Sequence, residues 1–139
     1  MMKKVILLSA FVLMAGFTFG QVLPKGTVIG THVLDVTLQP GITMEQYIQH
    51  LSGTSIPAWN DIDSDWQLYL LKSVRGDTKK NSFGLLHVIK SEETRDKYIN
   101  ADGSYTELRL SQNEKLKPIM DEQNKLGTYT TQWTDWIIQ

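Results

Sequence analysis

His32-Val33-Leu34-Asp35-Val36-Thr37-Leu38-Gln39-Pro40-Gly41 is the stretch on which the fold class turns. Leu34, Val36 and Leu38 share one parity and Asp35 and Thr37 the other, the period of two of a half-buried strand. Pro40-Gly41 ends that strand. Toward the C-terminus, Thr43-Met44-Glu45-Gln46 has capping-box spacing, and Met44, Tyr47, Ile48 and Leu51 form one helical stripe that Ser52-Gly53 should close. The segment through Pro57 and the acidic stretch Asn60–Asp65 reads as a polar loop. Trp66–Val74 and Phe83–Lys90 read as the second and third strands, separated by Arg75-Gly76-Asp77 and the turn-rich Lys79-Lys80-Asn81-Ser82. Ser91 caps a helix with Glu92 and Glu93 in its first turn, running to Asn100. After Ala101-Asp102-Gly103, both Ser104/Glu107 and Ser111/Glu114 have capping-box spacing, so one helix or two remains open. Leu116, Ile119 and Met120 form the apolar stripe, Pro118 is a possible kink, and Gly127 a natural stop. Tyr129–Ile138, rich in aromatic and β-branched residues, reads as the last strand.

Strand, helix, strand, strand, helix, strand is the order of an α+β ferredoxin-like βαββαβ sandwich, with helices on one face of an antiparallel sheet. The strands are apolar on both parities: Trp66, Leu68 and Leu70 oppose Tyr69 and Leu71, Phe83, Leu85 and Ile89 oppose Leu86 and Val88, and Trp133 and Ile137 oppose Trp136 and Ile138. One face is covered by helices, and the other needs a second cover. A second copy, sheet to sheet about a two-fold axis, is the simplest one. The expectation is a homodimer forming a dimeric α+β barrel, with a cavity between sheet and helices or inside the barrel.

Met1-Met2-Lys3-Lys4 precedes an uncharged apolar run from Val5 to Phe19 that ends at Gly20, the pattern of a secretory signal peptide over residues 1–20. The run is short for a helix that crosses a bilayer, which needs roughly 20 residues. Residues 21–28 form a short lead and residues 29–139 one domain. Removal of the leader takes Lys3 and Lys4 from a chain of net charge −1, which leaves −3. The expected location is periplasmic or secreted, with no membrane association of the mature form.

The near-neutral balance of 14 basic and 15 acidic residues gives no electrostatic case for nucleic acid. With no cysteines, disulfides, thiol nucleophiles, Cys-ligated zinc and iron–sulfur clusters are excluded. No Gly-rich phosphate loop, His-Glu-x-x-His helix or Gly-x-Ser-x-Gly elbow occurs. Asp61-Ile62-Asp63-Ser64-Asp65 alternates acids like a calcium loop, but Trp66 stands where such a loop needs glycine and Lys72 where it needs glutamate. Neither a metal nor a cofactor is expected.

Strand 1 with Leu38-Gln39-Pro40-Gly41, then Leu70-Leu71-Lys72-Ser73-Val74-Arg75-Gly76, then a strand leading into Ser91-Glu92-Glu93-Thr94-Arg95-Asp96-Lys97-Tyr98, resembles the dimeric α+β-barrel superfamily. The resemblance spans Ile29 to Ile138 and points to the NIPSNAP-like or antibiotic-biosynthesis-monooxygenase-like branches. It implies a range that includes cofactor-independent monooxygenases, haem-degrading enzymes, and decarboxylating and isomerising enzymes. Fold alone does not choose among them. The haem-degrading branch uses an Asn, a Trp and a ligating His, residue types that this chain offers as Asn60, Trp66 and His87.

Among the residues themselves, His87 shares the parity of Leu85 and Ile89 and is a candidate general base or haem ligand. His32 is a weaker candidate for the same roles, and His50 reads as a surface residue. Asp35 lies opposite the apolar parity, where a closed barrel would desolvate it and raise its pKa, as a proton-abstracting base requires. His87 and Asp35 are therefore the catalytic candidates, and His32, Tyr69, Trp133 and Asp135 the ligand-binding ones. The facing of Tyr69, Trp133 and Asp135 depends on strand register, which the sequence leaves open. The expected function is binding of a small apolar or aromatic molecule, with cofactor-independent oxygenase or isomerase chemistry if the protein is an enzyme. The alternatives are a non-catalytic periplasmic interaction module and a haem-handling protein.

Overall fold

The computed structural model describes residues 23–76 and 81–139. The expected leader over residues 1–20 lies outside the described residues. Strand β1 (Val28–Leu38) is followed by helix α1 (Met44–His50), a π-helical turn (Leu51–Ser55) and helix α2 (Ile56–Ile62). Strands β2 (Trp66–Leu71) and β3 (Ser82–Ile89), the short helix α3 (Glu92–Asp96), the long helix α4 (Glu107–Leu126) and strand β4 (Gly127–Ile137) complete the chain. The sheet order is β2-β3-β1-β4 and every pairing is antiparallel. The protein is thus an α+β domain with a four-stranded antiparallel sheet, compatible with a ferredoxin-like arrangement.

Register assigns the faces. Val28 pairs with Ile89 and Ile137, Gly30 with His87 and Asp135, His32 with Leu85 and Trp133, and Leu34 with Phe83 and Thr131. Directly paired residues share a face, and Val28, Leu34, Ile89 and Phe83 are all buried, so this is the helix-covered inner face. Two apolar clusters fill it. One gathers Val28, Trp66, Leu68, Ile89 and Tyr98, the other Leu34, Val36, Tyr47, Leu51 and Phe83. Burying a side chain such as Ile89 contributes about 1.5–3 kcal/mol. The outer face carries Ile29, Val33, Tyr69, Leu71, Leu86, Val88 and Trp136. Val33, Tyr69, Leu71 and Trp136 are exposed there, as the two-sided strand pattern predicts.

Local chemistry explains the helices. Thr43 and Gln46 form the expected capping box of α1. Ser91 caps α3 by accepting from the Thr94 amide. The long helical region is one helix, and its N-cap is Thr106, not either serine; Pro118 lies inside it. The main departure from expectation falls between Ser52 and Asp63. Gly53 does not end the helix, and the Pro57–Ile62 part of the expected loop is helical. The Ile56 amide bonds to the Leu51 carbonyl, a turn one residue wider than an α-helix. This wider turn leads into Pro57, the second residue of α2. Strand β2 also ends earlier than expected, at Leu71.

Helix α2 then covers the edge of the sheet. Asn60 accepts from the Leu68 amide at 2.7 Å and donates to the Leu68 carbonyl at 3.0 Å, so its side-chain amide imitates a neighbouring strand. On the other side of the domain, Gln123 of α4 donates to the Tyr47 hydroxyl at 3.0 Å and accepts from Ser55 at 2.9 Å, pinning α4 to α1 and the π-helical turn.

Gly127 joins α4 to β4 where the backbones nearly touch: a Cβ there would lie 2.9 Å from the Thr37 carbonyl oxygen and 3.3 Å from the Leu38 Cα. Gly127→Ala is expected to lower stability by roughly 1–3 kcal/mol, the cost of overpacking against backbone. Gly53→Ala, whose Cβ would meet nothing within 4 Å, is expected to cause no loss. Urea midpoints of the two variants provide the comparison, and equal midpoints would refute the close-approach account.

Candidate functional site

The inner face carries a row of rings across all four strands. Trp133 of β4 lies 6.4 Å from His32 of β1, centroid to centroid, and His32 stacks on His87 of β3 at 4.1 Å with an 18° tilt. His87 meets Trp66 of β2 edge-on at 5.8 Å, and Trp66 meets Tyr98 at 5.3 Å. Gly30 makes the row possible. A Cβ on Gly30 would stand 3.1 Å from the His87 Cβ and 3.0 Å from an Asp135 carboxylate oxygen.

Helix α4 stands partly off this face and leaves a cavity of about 320 Å³ between helix and sheet. The sheet contributes His32, His87, Trp133 and Asp135, and the helical side contributes Tyr105, Arg109 and Asn113. The volume is that of a small-molecule site with largely apolar walls. Trp133 is 55% exposed although it faces inward, because it forms an open wall of the cavity.

His87 has a fixed chemical state. Its Nδ1 accepts the indole N–H of Trp66 at 3.0 Å. An indole nitrogen only donates, so Nδ1 must hold the lone pair. Burial, followed by the nearby His32 and Arg109, lowers the pKa of His87 to about 3, so at neutral pH the ring is uncharged and its proton sits on Nε2. That Nε2 is buried without a hydrogen-bond partner among the described residues. The His87 ring lines the cavity, but its N–H is enclosed and its lone pair is engaged by Trp66, whereas a base or a metal ligand needs a free lone pair. His32 is held below its ordinary value by burial, with Asp135 acting the other way.

Asp135 lines the cavity, but its charge is matched by Arg95 of α3, whose Nε lies 2.8 Å from the carboxylate. Arg109 is placed differently. Its guanidinium lies 4.2 Å from the Trp59 ring centroid and 4.6 Å from that of Trp66, a cation held between two indoles. No ion pair to Arg109 occurs among the described residues. Its Nε is buried without a partner, and Nη1 reaches only the Gln112 side-chain oxygen at 3.5 Å.

The structure thus brings His87, His32, Trp133 and Asp135 to one cavity and leaves Asp35 and Tyr69 outside it. Asp35 lies on the outer face and accepts from the Ser82 hydroxyl at 2.6 Å. Tyr69 is half exposed on the same outer face, across from Leu86. Asp35 and His87 cannot act on one ligand within a chain. Asn60 is engaged with the β2 edge and does not line the cavity. His50 is partly buried, with its Nε2 shielded, not a surface residue. Sequence reasoning did not find Arg109 or Tyr105. The available signal was spacing: Arg109 lies three and seven residues before Gln112 and Leu116, the two buried residues of α4. No cluster of metal-ligating side chains occurs among the described residues. The chain matches no known protein-family model and no curated protein, so the geometry carries the functional reading.

The neutral, buried state of His87 has a consequence for stability. Between about 3 and the ordinary 6.5 the unfolded chain binds a proton at His87 that the folded chain does not. Stability from this group is full above that window and is lost as pH falls through it. His32 adds in the same direction. The expected slope is about 1.4 kcal/mol per pH unit for one proton. His87→Gln, which can still accept from Trp66, should lose that share of the slope between pH 4 and 6. Urea unfolding across that range measures it, and parallel curves for the two proteins would disprove the assignment.

Proposed function

We propose that this chain is an exported protein of ferredoxin-like topology that pairs with itself as a dimeric α+β barrel and binds a small planar molecule between sheet and α4. The observation that carries the reading is the cavity of about 320 Å³, walled by Trp133 and Tyr105, with the uncharged His87 ring in its lining. Aromatic walls on both sides favour a flat occupant. The state of His87 supports binding over base catalysis. The same state weighs against haem ligation through this ring, because its lone pair is turned toward Trp66.

Pairing rests on the outer face. Its apolar members run across the sheet from Tyr69 to Trp136, and Asp35 is the only charged residue among the outward-facing strand positions. Depletion of charge with retention of aromatic residues is the composition of an interface centre. A second copy placed by two-fold symmetry matches this face with itself. The first 20 residues supply the export signal, and no helix among the described residues is long and apolar enough to cross a membrane.

Two measurements address the proposal. The chain from Gln21 should raise the fluorescence of N-phenyl-1-naphthylamine, a neutral planar probe, and Thr131→Trp, which adds bulk to the cavity wall, should weaken that binding at least tenfold by volume exclusion. Absence of binding by the wild type rejects the cavity reading. Separately, sedimentation equilibrium should give a dimer at micromolar concentration, and Val33→Glu on the outer face should give a folded monomer. A monomeric wild type rejects the pairing.

A further inference from the structure

We infer that the ligand of this cavity carries a carboxylate on a planar aromatic body, and that Arg109 of α4 receives it. This deepens the proposed small-molecule reading and rests on it. The argument begins with charge. Lys90, Lys117 and Lys125 have carboxylate partners at the surface, and Arg95 has Asp135. Arg109 is the cation at the cavity wall, and among the described residues no carboxylate lies within ion-pair distance of it, Asp63 acting on it only at longer range. Withdrawing a guanidinium from water without an anion is costly. The two indoles offset part of that cost through their π faces. They offer no hydrogen-bond acceptor, and apart from the long contact from Nη1 to Gln112 the terminal N–H groups of the guanidinium have no protein acceptor among the described residues.

The second observation is independent of the first. The His87 ring in the cavity lining has its lone pair taken by the indole of Trp66, so it offers Arg109 neither an acceptor nor an opposing charge. The acceptor that Arg109 lacks must come from the ligand. A carboxylate is an acceptor with lone pairs on two oxygens, and its planar geometry matches the arginine fork. The carboxylate of Asp135, the other charged side chain at the wall, is held by Arg95 and so is not the natural partner. The stacked His32 and His87 and the open face of Trp133 then provide flat apolar surface for the body of the ligand. A phosphate would satisfy the charge, but it would leave these flat walls without an occupant.

The test compares isosteres on the chain from Gln21 by isothermal titration calorimetry: 2-naphthoate against 2-naphthamide, together with the acid and amide pairs of indole-3-acetate and 4-phenylbenzoate. At least one acid is expected to bind about tenfold to a hundredfold tighter than its amide, the range for a hydrogen bond to a charged group. Arg109→Gln should reduce that ratio to about one while leaving the amide affinity in place. Arg109→Lys, which keeps the charge but loses the fork, should restore only part of it. Circular dichroism confirms that each variant is folded, and the wild-type ratio stands even if neither is. Acid and amide binding equally well would overturn this inference and leave the small-molecule reading intact. A ratio that survives in folded Arg109→Gln would remove Arg109 from the role. Failure of every acid and amide, together with failure of the neutral naphthylamine probe, would overturn both.

Discussion

The hydrogen bond from the Trp66 indole to His87 Nδ1 is the interaction on which the interior depends. It spans β2 and β3 on the helix-facing side and joins two rings that would each be costly to bury alone: an indole N–H without an acceptor, and an imidazole without a defined proton. Because the indole only donates, one contact fixes where the imidazole proton sits. Everything that follows along the row of rings inherits that choice. His32 stacks on an uncharged neighbour, and the cavity lining carries no imidazolium there. The low pKa of His87 is the electrostatic expression of the same burial.

Around this contact the domain is built unevenly. The side of the sheet beneath α1 is closely filled, with Tyr47 its most enclosed side chain, and beneath α2 and the C-terminal part of α4 lies a smaller cavity of about 90 Å³. The side beneath the N-terminal part of α4 is not closely filled, and there the chain places aromatic and polar groups together. Gly30 is central to this arrangement, because its missing side chain lets His87 and Asp135 approach from strands on either side. The Gln123 bridge to Tyr47 and Ser55 holds one end of α4 down while the other end borders open space. A helix fixed at one end and raised at the other suits a site that must admit a molecule.

Much of the sheet was legible in the sequence because strand periodicity is a local signal. The alternation in Leu34–Leu38, Trp66–Leu70 and Phe83–Ile89 assigns faces without any knowledge of partners, and the inner placement of His87 follows from it. What was not legible depended on contacts between distant segments. Ser52-Gly53 and Pro57 are turn-forming residues, and their helical state reflects Leu51 and Ser55 being drawn into the core, a tertiary effect that overrides propensity. Asn60 reads as a loop residue because nothing local says that it will meet Leu68. Arg109 reads as one more charge on a solvated helix until two tryptophans from elsewhere in the chain enclose it. Asp35 was correctly placed on the parity opposite the core, which already sets it across the sheet from the inward-facing His87, so the two could not be joined in one site within a chain.

One structural detail sets a limit on assembly. Of the sheet's two lateral borders, β2 is obstructed by the Asn60 amide, whereas β4 pairs on one side only, with β1. Sheets that are open at both borders can add copies without end, the route to fibrils. A subunit with a single available border can make one such junction, after which both borders of the joined pair are blocked. Any lateral growth of this protein through its backbone would therefore be self-terminating at two chains, a safeguard that resides in one asparagine.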